Sequence, residues 1–408
     1  MRRKLGTLVL TGLLACGSSS PESGVRDDAG SDATFHASGD ATGPETSAAD
    51  AAAPDVSIDA PAEAAIDAAP PPAARLAYVG AADGNIYVYA FDPQTAALNL
   101  DAAYPAGDFP SFLAFDLPHH HLLATNESTG SVALLDIDPS SGALALRSTV
   151  NTGAGPTFVG TDGAGKFAFV ADYTAGSAEV FPIGAQGTLG AATAMVSPGA
   201  LCHSFVLDPS ERFAFVTAKG DDLIAQYTFN SSSGTLAPNP AGASVSTAAG
   251  AGPRHLAFHP SLPLAYVINE NDSTLVLYSF NAGNGTLSEA QTLTTIPSGF
   301  TGTNTGAEIL VAPSGKFVYA SDRGSDTIAS FSLDPQTGRM TPLDHTPTGG
   351  KTPRHFSLDP TGQVMLVANQ ESNDVVSFRV DTGTGKLTQL GTTVLPSPPF
   401  YVRAVALP

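Results

Sequence analysis

The chain has 408 residues, which is enough for two domains of ordinary size or for one large all-β domain. Its 38 acidic and 18 basic side chains give a formal net charge of −20, which disfavours nucleic acid as a partner because both would be negative. With only two cysteines the chain cannot build a disulfide framework, so its fold must depend on a hydrophobic core.

The N-terminus has the pattern of a bacterial export signal. Arg2, Arg3 and Lys4 precede a short apolar run that ends at Cys16 and is too short to span a bilayer. The end of this run, LLAC, resembles the lipobox of bacterial lipoproteins, in which the signal is cut before the cysteine and the cysteine is acylated. We therefore predict a lipoprotein signal peptide at 1–15, lipidation of Cys16 and a lipid-anchored protein of the cell envelope, outside the cytoplasm. The alternative is an ordinary signal peptide with an incidental cysteine.

The next segment, 16–75, is predicted to be a disordered acidic tether. Residues 17–74 are rich in Ala, Pro, Ser and Asp, and they carry eleven acidic side chains against one arginine. So few large apolar residues cannot bury enough surface to offset the entropy of ordering. Proline and like charge favour an extended chain. Solubility alone explains the acidic excess.

From residue 76 onwards, short runs of Val, Phe, Tyr and Leu alternate with Gly, Pro, Asn and Asp, which indicates an all-β fold. One turn phrase recurs seven times: FDPQTAAL, IDPSSGAL, PIGAQGTL, FNSSSGTL, FNAGNGTL, LDPQTGRM and VDTGTGKL. The steps between the closing residues of these phrases are 46, 45, 47, 51, 53 and 47 residues. A period of about forty to fifty residues, with about four strands per repeat, is typical of a β-propeller blade. We therefore predict a seven-bladed β-propeller of four-stranded blades over 76–408.

The two ends of the repeat region complement each other. The first repeat begins at LAYVG, 76–80, without an inner strand before it, and the chain ends in FYVRAVAL, 400–407, a strand without a blade to follow. Pairing of these N- and C-terminal strands would close the ring and remove its open edges.

Polar groups collect at two sets of repeated positions, one at the start of each inner strand and one directly after each second strand. Because these strands are antiparallel, both sets are expected at one face of the disc, around the mouth of the central channel. Early blades carry Ser, Thr and Phe at the inner-strand starts. Blades three to seven are expected to carry the charged and imidazole groups, which are His203, Arg254, His255, Glu270, Glu308, Arg323, Arg354 and His355.

This asymmetry predicts a binding site, because a purely structural position should repeat in every blade, as the turn phrases do. Three guanidinium groups and two carboxylates at a channel mouth of an acidic protein indicate a small anionic or carbonyl-rich ligand. The alternative is structural: Arg and His at strand starts can cap exposed carbonyl groups or pair with a neighbouring glutamate. We expect a monomer.

These residues lie in phrases that resemble the seven-bladed lactonase family, which includes propeller-type 6-phosphogluconolactonases and carboxy-muconate lactonising enzymes. The most specific phrases are GPRHLAFHP with YVINENDST, TGAEILVAPSGKFVYASDRG and TPRHFSLDPTGQVMLVANQESN. The resemblance covers about 76–408 and implies a lactone hydrolase. By motif it implies catalytic roles for His203, Arg254, Glu270 and Arg323.

One blade departs from the family pattern. Leu201 stands where relatives usually have the first histidine of a Pro-His-x-His phrase, and Ala218 and Leu223 replace the Asp and Arg of a D-L-G-x-D-R loop. The resemblance therefore leaves the substrate open.

The hypothesis for the mechanism is attack of water on a lactone carbonyl. Glu270 is the candidate base, with His255 or His203 as its partner or alternative, while Arg254 and Arg323 would stabilise the oxyanion or hold a substrate carboxylate. Substrate-binding roles fall to the other four residues of the set, which are His255, Glu308, Arg354 and His355. No metal or cofactor is required. The competing hypothesis is a non-catalytic surface propeller, because AYVINENDST and LVANQESND also resemble the YVTN repeats of surface proteins.

Overall fold

A computed structural model describes residues 75–407, which form seven antiparallel β-sheets arranged as a ring of blades. This confirms the predicted seven-bladed β-propeller. The predictions for the signal peptide 1–15, for Cys16 and for the tether up to residue 74 lie outside the described residues. Arg75 is already bonded to the propeller, because its N–H donates to the Val405 carbonyl over 3.1 Å.

The chain runs through the blades in order, and in the second to seventh blades the inner strand comes first. In the first three blades the strands are β1 Leu76–Ala81, β2 Asn85–Phe91, β3 Leu98–Pro105, β4 Leu113–Asp116, β5 His121–Asn126, β6 Ser131–Ile137, β7 Leu144–Asn151, β8 Pro156–Thr161, β9 Phe167–Asp172, β10 Ser177–Pro182 and β11 Ala194–Val196. In the fourth and fifth they are β12 Cys202–Leu207, β13 Phe213–Ala218, β14 Leu223–Asn230, β15 Thr235–Pro238, β16 Ser244–Ser246, β17 Pro253–Phe258, β18 Leu264–Asn269, β19 Thr274–Asn281 and β20 Thr286–Thr294. The remainder are β21 Thr305–Val311, β22 Phe317–Arg323, β23 Thr327–Leu333, β24 Met340–Pro347, β25 Pro353–Leu358, β26 Val364–Asn369, β27 Asp374–Val380, β28 Leu387–Val394 and β29 Pro399–Val405. Two short 3₁₀ helices occupy Leu117–His119 and Lys219–Asp221.

The ring closes as predicted. The first blade consists of β29, β1, β2 and β3, so the last strand of the chain is the inner strand of the first blade. β29 and β1 are antiparallel, with Tyr78 opposite Arg403 and Val79 opposite Val402.

The fourth blade differs from the other six at its outer edge. Two short strands, β15 and β16, both pair with β14 there, in place of one longer outer strand. β15 ends at Pro238 and the connection to β16 carries Pro240, and neither proline can donate to a strand ladder. The inner three strands of this blade keep the common order, so the split edge does not disturb the channel.

The hydrophobic core is divided into seven clusters, one between each pair of neighbouring blades. Each strand alternates its apolar side chains between the two faces of its sheet, and both faces are covered by neighbours. The repeated turn phrase contributes at the rim: Tyr78 donates to the Gly142 carbonyl of the next blade over 2.9 Å, and Tyr266 donates to Gly338 over 2.7 Å. Gly142 has a φ of 77°, and a Cβ there would lie 2.8 Å from the tyrosine oxygen, so glycine is required at this position of the second phrase. The first phrase has Ala96 there, also with a positive φ, of 58°.

An Asn or Asp recurs at the end of the second strand because its side chain binds the loop that follows. Asn126, Asn269 and Asn369 each donate to a side chain five residues further on. Asp172 stands at the same position in the third blade and accepts from Ser177 over 3.1 Å. This position is therefore structural.

Replacing Asp172 with asparagine is expected to stabilise the protein above neutral pH. Burial raises the pKa of Asp172 to about 6 from an ordinary value of 3.8. The pKa of Asp172 is higher in the folded state than in the unfolded state, so its contribution to the free energy of unfolding is fully present only below pH 3.8. That advantage is lost as the pH rises through about 6. In urea unfolding at pH 8, D172N should gain up to about 3 kcal/mol in the free energy of unfolding, and the gain should disappear near pH 4.

The matched control for D172N is the exposed Asp101→Asn, which should change stability little at either pH. A gain that is the same at pH 4 and pH 8 would show that ionisation of Asp172 is not its cause.

Within residues 75–407 Cys202 is buried and free, and its thiol donates to the Gly199 carbonyl over 3.2 Å. No helix in this part of the chain has the length and apolar character needed to cross a membrane.

Candidate active site

The site begins with a β-bulge at the start of the inner strands. In the fifth blade Pro253 pairs with Asn269 and His255 pairs with Ile268, so Arg254 is an extra residue without a partner. A bulge changes the direction of the side chains on either side of it, so two adjacent residues can both contribute to the mouth instead of alternating between faces. Equivalent irregularities occur in the inner strands of the first, third, fourth, sixth and seventh blades. The bulge therefore explains why an Arg-His pair stands at this position in two blades.

Glu270 is the centre of a compact charged cluster. Lys219 Nζ lies 2.6 Å from one carboxylate oxygen, and Arg323 Nη2 lies 3.2 Å from the same oxygen. Arg254 Nε lies 3.2 Å from the other oxygen. Burial alone would raise the pKa of Glu270, but the three cations outweigh it and lower the pKa to about 2. Glu270 is therefore a weak proton acceptor, and its carboxylate holds the three cations in place.

Arg254 is fixed by backbone carbonyl groups as well as by Glu270. Its Nη1 donates to the Ala307 carbonyl over 2.5 Å, and its own carbonyl accepts from the Thr217 hydroxyl over 2.7 Å. Burial lowers the pKa of Arg254, as does the nearby Arg323. A guanidinium still has N–H groups to spare after these bonds, so it can also contact a ligand.

A second network joins two histidines through Glu308. His255 Nδ1 lies 3.0 Å from both carboxylate oxygens, and His355 Nε2 lies 3.6 Å from one of them. The Val402 N–H donates to His355 Nδ1 over 3.3 Å, so a neutral His355 carries its proton on Nε2, facing Glu308. Glu308 itself is secured by the Ile309 N–H over 3.0 Å.

These contacts leave His255 Nε2 as a buried lone pair without a partner in the structure. Nδ1 donates its proton to Glu308, so Nε2 is the acceptor nitrogen of the neutral ring. Burial lowers the pKa of His255 against the raising effect of Glu308, which keeps the ring neutral at pH 7. A neutral imidazole oriented by a carboxylate is the arrangement of a general base.

His203 lies between the two networks. Its ring centroid is 5.0 Å from that of His255, and its Nε2 is 3.9 Å from Glu270 Oε2. That distance is too long for a hydrogen bond, so within residues 75–407 no carboxylate orients His203 as Glu308 orients His255. Burial lowers the pKa of His203 well below its ordinary value.

Aromatic rings close the channel just inside the mouth. Phe112 belongs to the second blade, yet its ring centroid lies 5.6 Å from His255, 5.7 Å from His355 and 5.0 Å from Tyr401. It also lies 4.7 Å from Phe158. Contacts with four other blades mean that Phe112 crosses the channel and separates the mouth from the rest of it.

Arg354 lies at the edge of the site. Its Nη2 is 3.8 Å from Glu127 Oε2, and its guanidinium carbon is 5.0 Å from the centre of the Phe400 ring. With Lys219, Arg254 and Arg323 it makes four cations at the mouth. Cationic side chains therefore outnumber the three carboxylates Glu127, Glu270 and Glu308 here, in a chain with a net charge of −20.

All eight residues selected from the sequence lie at this mouth, in two groups. One group surrounds Glu270 and the other surrounds Glu308, with His203 between them and Arg354 at the edge. One detail was wrong: the charged positions begin in the fourth blade and not in the third, because His203 lies on β12. Their catalytic and binding roles stay predictions.

Sequence reasoning missed several residues of the mouth. Lys219 follows the second strand of the fourth blade, and its register position alone could have drawn attention to it. Phe400 and Tyr401 belong to the closing strand and occupy the positions of Arg254 and His255. Comparing that strand with the other six would have found them.

The departures from the family pattern have visible structural consequences. Leu201 has a φ of 57°, a conformation that disfavours residues with a side chain. Ala218 is fully buried at the Asn/Asp position, and Leu223 pairs with it across the sheet. Asp222 instead accepts from the N–H groups of Gly250 and Gly252, over 2.6 and 2.8 Å, which fixes the loop before Arg254.

The donor set at the mouth consists mainly of Arg, Lys and His. Within 75–407 no three His, Cys, Asp or Glu side chains are grouped so that they could hold a metal ion. Guanidinium and ammonium groups are suited to binding a carboxylate, a phosphate or a developing oxyanion.

Comparisons with known proteins agree with this architecture. The family described as "Lactonase, 7-bladed beta-propeller" matches residues 76–403. The structure of a periplasmic gluconolactonase from Pseudomonas aeruginosa superposes with a TM-score of 0.75 and 28% identity, covering 82% of this chain and 99% of that one. A Lactobacillus plantarum protein superposes with a TM-score of 0.75 and 26% identity, over 82% of this chain and all of that one.

Sequence relatives match over a shorter region. The 6-phosphogluconolactonase of Pectobacterium carotovorum subsp. carotovorum (strain PC1) is 37% identical over 147 residues, which are 36% of this chain and 44% of that protein. For that of Enterobacter sp. (strain 638) the values are 39% identity over 132 residues, 32% of this chain and 39% of that protein. The chain thus spans less than half the length of these curated relatives. The match of the family to most of the chain, together with the seven-bladed fold, shows that the chain belongs to the lactonase family of seven-bladed β-propellers.

Proposed function

We propose that this protein hydrolyses a lactone at the mouth of its channel. The observation that carries the proposal is the buried lone pair of His255 Nε2, oriented by Glu308 and adjacent to a cluster of cations. This arrangement supplies the two things that lactone opening needs, a base for the attacking water and positive charge for the oxyanion.

The reaction can be followed proton by proton. Water attacks the lactone carbonyl carbon while His255 Nε2 takes one of its protons, and the carbonyl oxygen becomes an oxyanion near Arg254 and Arg323. Collapse of this intermediate breaks the bond to the ring oxygen, which takes the proton back from His255. The hydroxy acid then ionises, so one proton is released per turnover. Access to Nε2 requires movement of Phe112 or Phe158, whose half-buried rings contact His255.

This assignment moves the base from Glu270 to His255. A carboxyl group with a pKa near 2 is too weak a base for a water molecule, whereas Glu270 holds three cations in a fixed arrangement. The resemblance of the motifs around Arg254 and Arg323 to those of the lactonases supports their oxyanion role. His203, close to both groups, would contact the substrate.

The cations at the mouth support a small lactone that carries an anionic group, such as a carboxylate or a phosphate. Arg354 lies at the edge of the cluster, where its guanidinium keeps N–H groups that can bind that anionic group. We place the protein outside the cytoplasm, anchored through a lipid on Cys16. The N-terminal sequence and the periplasmic relative from Pseudomonas aeruginosa support that location.

The experiment that tests this proposal is proton release by the full-length chain against a panel of γ- and δ-lactones, corrected for spontaneous hydrolysis. The panel should include 6-phosphogluconolactone and unphosphorylated sugar lactones. We expect turnover of at least one lactone and a preference for those with an anionic group, reduced in Arg354→Gln. No turnover on any lactone would contradict the proposal and would favour a non-catalytic surface propeller that binds its ligand at the same mouth.

A further inference from the structure

The channel contains a cavity on the far side of the aromatic rings that close the mouth. Its volume is about 350 Å³, and its inner wall is formed by Glu308, His355 and Tyr401. From there it extends along the inner strands of the sixth, seventh and first blades to Pro313 and Pro360, which follow β21 and β25 at the end opposite the bulges. It therefore opens to the face of the disc opposite the mouth.

Two polar groups line this cavity, a buried hydroxyl and an arginine. Ser357 is only 6% exposed, and its Oγ makes no hydrogen bond within residues 75–407. Arg403 is exposed, and among residues 75–407 no carboxylate forms an ion pair with it. Its guanidinium carbon lies 5.4 Å from the centre of the Phe115 ring, which holds it at the channel wall. A buried hydroxyl without a partner is unfavourable, so a ligand that bonds to it is favoured.

The rest of the cavity is mainly apolar. Leu310 and Leu358 line it together with Phe356 and the two prolines. Asp359 also lines it, but its carboxylate already accepts bonds from the Thr361 hydroxyl and from the N–H groups of Gln363 and Val364. Glu308 is negative at the inner end, so an anionic group is repelled there, and Arg403 is the cation that attracts it. A ligand is therefore expected to bind with its apolar part inwards and its charge outwards.

We propose that this cavity binds a small apolar monocarboxylate, whose carboxylate contacts Arg403 and Ser357. The volume suits a molecule of about ten heavy atoms, because pockets bury most of the surface of a small ligand. Since Phe112 separates this cavity from the mouth, the ligand enters from the opposite face and does not compete directly with a lactone. The site does not depend on lactone hydrolysis.

The test is direct binding to the full-length chain by titration calorimetry, without any lactone present. The probes are benzoate, cyclohexanecarboxylate and hexanoate, with benzamide and benzylamine as the uncharged and cationic counterparts. We expect the carboxylates to bind with a dissociation constant in the millimolar range or tighter. Benzamide and benzylamine should bind at least about tenfold more weakly, since neither can form the charge-assisted bond to Arg403.

Two variants of the cavity and one of the mouth locate the site. Arg403→Gln should weaken benzoate binding at least about tenfold, and Ser357→Ala should weaken it about threefold to tenfold. Arg323→Gln, a matched change at the mouth, should leave benzoate binding unchanged. Circular dichroism and thermal unfolding establish that each variant is folded.

Three results would overturn the proposal: no carboxylate binding at millimolar concentration, equal affinity for benzoate and benzamide, or loss of binding in Arg323→Gln but not in Arg403→Gln. The last would place the carboxylate at the mouth. None of these results bears on lactone hydrolysis, so the two proposals fail separately.

Discussion

Replacing His255 with glutamine is expected to lower kcat for lactone hydrolysis by about 10²- to 10⁴-fold, the usual contribution of a general base. Glutamine keeps a side chain that can bond to Glu308 but has no nitrogen lone pair to accept a proton. The fold of the His255→Gln variant should be unchanged, as judged by circular dichroism and thermal unfolding. The measurement is the rate of proton release on the lactone that the panel identifies.

The matched control is His119→Gln, which changes an exposed histidine in the second blade and should leave kcat unchanged. If His255→Gln kept full activity while remaining folded, the base would have to be another group, and His203→Gln would be the next variant to measure.

Glu308→Gln tests the same assignment through pH dependence. Activity requires neutral His255, so it should rise with pH through the pKa of His255, which burial lowers below its ordinary value. Glu308 raises that pKa, so removing its charge should move the acid limb of the kcat profile to lower pH, in addition to reducing kcat. A variant that merely loosened the fold would reduce activity without moving this limb.

The architecture could be predicted from the sequence because each repeat obeys the same local constraints. The turn phrase recurs because its glycine must adopt a positive φ and receive a tyrosine hydroxyl from the neighbouring blade, as at Gly142 and Gly338. The starts of the inner strands and the ends of the second strands recur with equal spacing, and this spacing placed the charged residues at one rim of the channel. These constraints recur from blade to blade, so a repeated pattern of residue types is enough to express them.

The electrostatics of the site could not be predicted in the same way. Which carboxylate receives three cations and which receives two histidines depends on bulges that shift the strand register by one residue, and strand alternation does not reveal them. Phe112 is 143 residues from His255 in the chain, and their contact across the channel follows only from the diameter of the ring. The sequence therefore identified eight residues of the mouth but named Glu270 as the candidate base, with His255 or His203 as its partner or alternative.

Replacing Glu270 with glutamine is expected to destabilise the protein more than any other single change at the mouth. The change removes the only carboxylate that contacts Lys219, Arg254 and Arg323 in the described structure, and three cations would remain close together. Breaking a largely buried ion pair by removing one partner costs about 3–5 kcal/mol. Urea unfolding at pH 7 should show a loss of that size, whereas the exposed Glu371→Gln should show almost none.

The pH dependence of this loss of stability distinguishes a structural role of Glu270, which holds three cations, from a role as the catalytic base. The folded-state pKa of Glu270 is lowered to about 2 from 4.5, so its contribution to stability is complete above pH 4.5 and is lost as the pH falls towards 2. The difference between E270Q and the parent should shrink over that range. Adding Lys219→Met to E270Q should recover part of the stability, because one unpaired cation is then removed. If E270Q were as stable as the parent yet inactive, Glu270 would be acting in the reaction itself, and the base would have to be assigned to it again.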